Sequence, residues 1–378
     1  MMWCGHCQLW SGQSPCRHCS SHDHLEPHPH ERRRLRRIEG MTRGTARGPF
    51  ARAAGDGSNL WVVLLAAGEG RAHGDFSIRM FGDPIPKQFW SLDGRGGMLG
   101  WAMMRAARIT RTERVGAITR AEHARWTALR MREIPAANVV IEPSDRGTAP
   151  GILLALIKIG QIDPDAVVVL LPCDHHVDAE RLLVDAILSA AGVAIARPEQ
   201  IVLFGSPSDG TGPERSWIVP KRGNGTSEWV REVACLVAQR DVLATDRLIE
   251  GGALVNTGIA VGTAATFLAL FTSTVPDLVC DCAQWMVECD NERDSMRNLY
   301  DSLLPRDFDR EVLDKANGSL TVAKVPPCGW TDLGTPEKLR GFLRDRVIAS
   351  PSVVLPGEKD FPHDVSHVPA RAIRSHAN

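Results

Sequence analysis

From Asn59 onward the sequence alternates short apolar runs with amphipathic stretches, and that alternation limits the possible fold more than any other feature. Leu60–Ala66, Val115–Thr119, Val139–Glu142, Ala166–Leu171 and Gln200–Phe204 are apolar almost throughout, as strands buried on both faces are. Between them Met98–Arg108, Ala121–Arg132, Thr148–Gly160 and Ala179–Ala191 carry apolar residues at helical spacing. Strand, helix, strand in sequence implies an α/β domain, here expected over residues 59–347, with a mostly parallel sheet covered on both faces. Ligands of such sheets sit at the carboxyl ends of the strands, so residues just after each apolar run are the first candidates for chemistry.

Composition agrees with a soluble globular protein: 43% of residues are hydrophobic and 24% charged. A formal net charge of −1 gives no electrostatic reason to expect a nucleic-acid or membrane partner. Gly251–Pro276 is the longest uncharged run, but Asn256 and five threonines make it a strand followed by a helix, not a membrane span. The amino terminus lacks an apolar signal core, and the six cysteines beyond residue 150 have no framework-like spacing. Reduced thiols in a cytoplasmic protein are the expectation.

The two ends differ from this middle. Residues 1–58 are rich in Cys, His, Arg and Gly without apolar periodicity and are expected to be a disordered extension; 348–378 are expected to be a loosely ordered tail. Cys4-x-x-Cys7 and Cys16-x-x-Cys19, with six histidines between His6 and His30, have the chemistry of a zinc site. A disordered arm that includes Arg32–Arg37, or translation beginning at Met41, explains the same residues without any core, and is preferred for that reason.

Three places after the strands carry candidate chemistry. The first run ends in Ala66-Ala67-Gly68-Glu69-Gly70-Arg71, where glycines let backbone N–H groups approach a phosphate and an arginine can neutralise it. Small residues there also serve plain packing. No P-loop Lys-Ser follows, and G-x-G-x-x-G is absent, so a dinucleotide fingerprint is unsupported. In Gly82-Asp83-Pro84-Ile85-Pro86-Lys87-Gln88-Phe89-Trp90 the two prolines imply a rigid extended segment that aims Lys87, either at an anion or, if this is a surface turn, at water. Asp174, just after Val167–Leu171, reaches the sheet edge where Mg²⁺ needs oxygen ligands; it stands too early to cap the next helix. Asp332, in Gly329-Trp330-Thr331-Asp332-Leu333-Gly334, is a second carboxylate for the same ion. His175 and His176 are read as packing or hydrogen-bonding groups, since Mg²⁺ prefers oxygen.

The loop at Ala66–Arg71, PKQF (86–89), EPSDRGTAP (142–150), LLPCDHHV (170–177), LVNTG (254–258) and GWTDLG (329–334) occur in the order and approximate spacing of the sugar-nucleotide pyrophosphorylases. Over about Leu60 to Arg346 the chain resembles that family, above all the mannose-1-phosphate guanylyltransferases. The resemblance implies a GT-A-like (Rossmann-like) nucleotidyltransferase fold with a mixed, mostly parallel central sheet. It further implies synthesis of a nucleoside diphosphate sugar and pyrophosphate from an NTP and a sugar 1-phosphate, with GTP and mannose 1-phosphate giving GDP-mannose. By matching positions, Ala67, Gly68, Gly70 and Arg71 would cradle the β- and γ-phosphates, and Lys87 would lie beside the triphosphate. Glu142, Arg146, Gly147 and Thr148 would line the base and ribose pocket, and Asn256 would meet the sugar phosphate. Asp174 and Asp332 would hold Mg²⁺ against the α-phosphate. A homodimer is entertained as the assembly.

The departures matter as much. Against the family's G-G-x-G-T-R, Ala67 replaces a glycine, Arg71 stands at the threonine and Ala72 at the arginine. The lysine of F-x-E-K-P, which grips the sugar phosphate, should fall near Cys235–Gln239, where the sequence is CLVAQ. Arg240 or Lys221 are the candidate substitutes. Val255 stands where tryptophan is usual. Two function classes remain: the enzyme, or a catalytically weak nucleotide-sugar-binding regulator. Within the enzyme class the rival is a cytidylyl- or uridylyltransferase acting on another sugar phosphate.

Overall fold

In the computed structural model, residues 2–4, 9–11, 25–27 and 59–342 are described, the last range with gaps at 69–76, 79–81, 83, 91–96, 209–214, 222–228, 240–241, 289–291, 317, 334–337 and 340. Strands β1 (Met2–Cys4), β2 (Leu9–Ser11) and β3 (Leu25–Pro27) form a small antiparallel sheet, β2-β1-β3. Cys7, Cys16, Cys19 and the arginine cluster lie outside the described residues.

The expected alternation is realised closely. Strands β4 (Leu60–Leu65), β5 (Val115–Arg120), β6 (Val139–Glu142), β7 (Val167–Pro172) and β8 (Ile201–Ser206) coincide with the apolar runs. Helices Gly97–Ile109, Thr148–Ile162 and Glu180–Ala196 occupy the helical patterns, and the fourth pattern is split between a 3₁₀ turn, Ala121–His123, and a helix, Ala124–Arg130. Alternate residues of a strand face opposite ways, which explains the unbroken apolar sequence of β4. Trp61 and Val63 enter the core built with helices Thr148–Ile162 and Ala264–Thr274, while Leu60, Val62 and Leu64 enter the core built with Gly97–Ile109 and Glu180–Ala196.

The sheet is less parallel than the sequence pattern suggested. With β9 (Arg215–Pro220), β10 (Val230–Gln239), β11 (Leu254–Thr263) and β12 (Leu320–Lys324) it has nine strands in the order β6-β5-β4-β7-β11-β8-β12-β10-β9. Parallel pairing joins β6-β5-β4-β7 and β8-β12; β11 is antiparallel to β7, β8 and β9, and β10 is antiparallel to both its neighbours. Parallel neighbours need a crossover of a dozen or more residues. The short 221–229 link between β9 and β10 cannot supply one, so those strands turn back on each other.

This topology gathers distant sequence at one edge. β4 and β7 are parallel neighbours, Leu65 beside Pro172, so Ala67–Gly68 and Asp174 leave the sheet together. Because β11 runs the other way, its beginning reaches the same edge: a Cβ on Gly258 would lie 3.0 Å from the Pro172 ring.

Candidate active site

Two sequence-distant loops are tied together at this edge. The His176 and Thr331 backbones exchange N–H···O bonds of 2.9 Å in each direction, and Asp178 and Ala179 both donate to the Cys328 carbonyl. Two backbone bonds between single residues fix both loops in place. Asp174 and Asp332 are thereby brought to one cluster, with Lys87 between them: its Nζ donates to Asp174 Oδ2 at 3.1 Å and to the Asp332 main-chain carbonyl. A second cation, Lys338, donates to Asp332 Oδ1 at 3.0 Å.

Lys87 is only 5% exposed, so it is not a solvated turn lysine. Nor is the segment extended throughout. Pro86 is extended (φ −58°, ψ 142°), and Lys87–Phe89 then form one 3₁₀ turn closed by the Trp90 N–H on the Lys87 carbonyl. A proline with its fixed φ starts such a turn readily, which the extended reading of the two prolines overlooked. Phe89 and Trp90 anchor the turn in the core, at 3% and 1% exposure. Gln88, given no role from sequence, donates Nε2 to the Ala66 and Gly68 carbonyls at 3.0 and 2.6 Å, and so clips the turn to the start of the glycine loop. A Cβ at Gly68 would meet nothing within 4 Å among the described residues, so packing within the chain does not require glycine there.

Asp174 keeps 44% of its side chain exposed. Burial pushes its carboxyl up, but Lys87 and His175 outweigh that, and the carboxyl titrates below the usual aspartate range. Asp174 does not cap helix Glu180–Ala196, whose N-cap is Ala179. His175 is 6% exposed, and burial lowers its imidazole to about 4, so it is neutral at pH 7. Trp330 donates to its Nδ1 at 3.2 Å, which leaves the proton on Nε2, 3.5 Å from Asp174 Oδ1. Among the described residues no three His, Cys, Asp or Glu side chains converge as a closed metal cage requires. Two carboxylates at a strand end are what Mg²⁺ takes when phosphate oxygens complete its shell, so the donor set fits that ion.

A second grouping joins the 142–150 loop to residues 300–309. Glu142, 4% exposed, accepts from the hydroxyl of Tyr300, the chain's single tyrosine, at 2.8 Å. Arg146 Nε donates to the Tyr300 carbonyl at 2.7 Å, the Arg306 N–H to the Arg146 carbonyl, and the Phe308 N–H to Thr148 Oγ1 at 2.8 Å. Gly147 has φ +78°, and a Cβ there would fall 2.2 Å from the Arg306 carbonyl oxygen, so glycine alone fits. Asn256 donates to Asp309 Oδ2 at 3.0 Å and accepts from the Gly258 N–H. Tyr300, Asp309, Gln88 and Lys338 were all missed as site residues. Gly70, Arg71 and Arg240 lie outside the described residues. Lys221, the other candidate substitute, pairs with Glu232 at 2.8 Å, both side chains being exposed.

Glu142 yields a stability test. Burial, partly opposed by the Tyr300 hydrogen bond, raises its carboxyl from 4.5 to about 7. The folded chain therefore holds this proton to higher pH than the unfolded chain, and stability falls as pH rises between those values. Glu142→Gln keeps an acceptor for Tyr300 and removes the titration. Chemical denaturation should find it up to about 3 kcal/mol more stable than wild type at pH 8 and equal below pH 4.5. A constant difference across pH would show that Glu142 ionises normally.

The fold is Rossmann-like, and two solved structures share it. A crystal structure of mannose-1-phosphate geranyltransferase from Thermus thermophilus matches with TM-score 0.63 at 19% identity, over 73% of this chain and 76% of that one. One of mannose-6-phosphate isomerase from Helicobacter pylori matches at 0.55 and 17%, over 72% and 99%. In sequence the chain is similar to proteins that carry the name mannose-1-phosphate guanylyltransferase and to alginate biosynthesis proteins. It is 27% identical over 282 residues to the alginate biosynthesis protein AlgA of Pseudomonas fluorescens, and 26% over 290 to mannose-1-phosphate guanylyltransferase ManC of Salmonella typhimurium. These alignments cover 72% and 74% of this chain but 56% and 58% of the relatives, so it spans a little over half of their length. No family model matches the chain.

Proposed function

We propose that the chain is a sugar-1-phosphate nucleotidyltransferase that joins an NTP to a sugar 1-phosphate and releases pyrophosphate, with GTP and mannose 1-phosphate as its substrates. The observation that carries this is Lys87, buried and held between Asp174 and the Asp332 loop beside the opening at Gly68. A phosphate oxygen of the sugar phosphate attacks the α-phosphorus in line, the bond from that phosphorus to the β-phosphate oxygen breaks, and pyrophosphate leaves. Charge on the departing phosphates is met by the Lys87 ammonium, preorganised by its turn. Asp174 and Asp332 would hold Mg²⁺, which when bound offsets charge on the α-phosphate. Gly70 and Arg71 are assigned to the β- and γ-phosphates with Ala67 and Gly68, and Arg240 to the sugar phosphate. Glu142, Arg146, Gly147 and Thr148 shape the base and ribose pocket through the 300–309 segment. Among the described residues no helix is long and apolar enough to cross a membrane, and Cys173, Cys235, Cys282 and Cys328 stand outside any disulfide. A cytoplasmic setting is part of this proposal.

A regulatory, catalytically weak protein is the second reading, favoured by β10, which brings no lysine at Cys235–Gln239. Pyrophosphate release separates the two. Four NTPs, each with several sugar 1-phosphates and Mg²⁺, should give turnover with GTP and mannose 1-phosphate above all other pairs. Binding of a nucleotide sugar with no turnover in any pair would establish the regulator.

A further inference from the structure

We propose that Asp309 reads the hydroxyl groups of the sugar, its carboxylate held in place by Asn256 and Ser216; this rests on the nucleotidyltransferase reading above. Neither composition nor motif drew attention to Asp309, and its surroundings do. Asn256 Nδ2 donates to Oδ2 at 3.0 Å, and Ser216 hydrogen-bonds the same carboxylate. Both come from strands that meet in register: Leu254 pairs with Ile218 and Val255 with Trp217, which sets Asn256 opposite Ser216. Among the described residues no lysine or arginine pairs with Asp309, so two neutral donors hold an acid that burial raises to about 6. Keeping a half-buried carboxylate without a cation costs stability, and such cost concentrates at functional sites.

The backbone points the same way. Asp309 opens a π-helical turn, Asp309–Leu313, closed by the Asp314 N–H on the Asp309 carbonyl at 2.8 Å. Turns of this kind are rare and recur where a side chain must be aimed. Phe308 and Val312 on either side are buried at 5% and 0%, and they anchor the turn while Asp309 itself stays partly open. The position is close to the chemistry: Gly258, two residues beyond Asn256, lies against Pro172, two residues before Asp174. A carboxylate has acceptor capacity beyond its two protein donors, and hydroxyl protons are donors that suit it. The ligand class is therefore a polyol with its phosphate directed at the aspartate cluster, and the carboxylate discriminates among hydroxyl configurations.

The test is steady-state kinetics of Asp309→Asn with GTP, mannose 1-phosphate and a series of its deoxy analogues. We expect kcat/KM for the sugar phosphate to fall about a hundredfold, mostly in its KM, with the KM for GTP within twofold of wild type. One deoxy analogue should be poor for wild type yet no worse than the parent sugar for the variant, and it identifies the hydroxyl read. An unchanged sugar-phosphate KM, or equal losses on every analogue in both proteins, overturns the proposal. Ser216→Ala, which leaves the carboxylate in place but loosens it, should shift the same KM by about fivefold; if Asp309→Asn does not fold, this variant decides, and no shift overturns the proposal. Wild type silent with every NTP refutes the enzyme reading separately. Ligand-observed NMR of mannose 1-phosphate then decides the inference: binding lost in Asp309→Asn supports it, and binding kept or absent in wild type overturns it.

Discussion

Replacing Lys87 by methionine should lower turnover about a hundredfold while leaving the fold in place. Methionine keeps the length of the side chain and removes only the ammonium. The turn that carries it is fixed by groups other than that ammonium: Trp90 Nε1 donates to the Ile85 carbonyl at 2.7 Å, and the Trp90 carbonyl accepts from Met98. In phosphoryl and nucleotidyl transfer the protein has little bonding to assist, so rate comes from charge placed around the phosphates. Removing one preorganised donor costs about 3 kcal/mol of transition-state stabilisation, or roughly two orders of magnitude. Stability should change less. Asp174 is 44% exposed, so water takes over much of what Lys87 supplied, and a cost near 1 kcal/mol is expected. Steady-state kinetics with a thermal melt measures both. Turnover within twofold of wild type would remove Lys87 from the site, and a collapsed melting temperature would mean that it is structural instead.

The parts of this site visible in the sequence are those set by local pattern. Apolar runs followed by Gly68 or Asp174 mark strand ends, because the strand itself dictates where the next side chain goes. Lys87 stood out through its prolines, although their effect was to start a 3₁₀ turn and not to prolong an extended segment. What was hidden depends on contacts between distant residues. Tyr300 meets Glu142 across 158 positions, and Phe308 meets Thr148 across 160. No periodicity at either end announces such a pairing. The extent of antiparallel pairing in this mixed sheet is hidden for a related reason. The second half of β11 is as apolar as a parallel strand, with Ala260 in one core and Ile259 and Val261 in the other, and only the short link between β9 and β10 hinted at reversal. Lys338 was passed over because a lysine six residues beyond Asp332 reads as ordinary surface until the chain folds back.

Asp174→Asn should lose at least about a hundredfold in turnover, and Asp332→Asn somewhat less, since loss of a ligand weakens the several kcal/mol that a metal ion contributes at a phosphoryl centre. The order follows from exposure. Asp174 exposes 44% of its side chain, whereas Asp332 exposes 25% and has an oxygen already engaged by Lys338. Asparagine preserves shape in both cases, so melting temperatures should stay within a few degrees. Titrating Mg²⁺ for each variant separates loss of affinity from loss of rate, because a weakened site recovers at high Mg²⁺ and a misdirected phosphate does not. The double variant is the sharper measurement. Residues that act through one ion lose their effect together, so Asp174→Asn/Asp332→Asn should be barely slower than Asp174→Asn alone. Losses that multiply would mean that the two aspartates do not share an ion, and Mg²⁺-dependent rates near wild type in either single variant would remove that residue from the metal site.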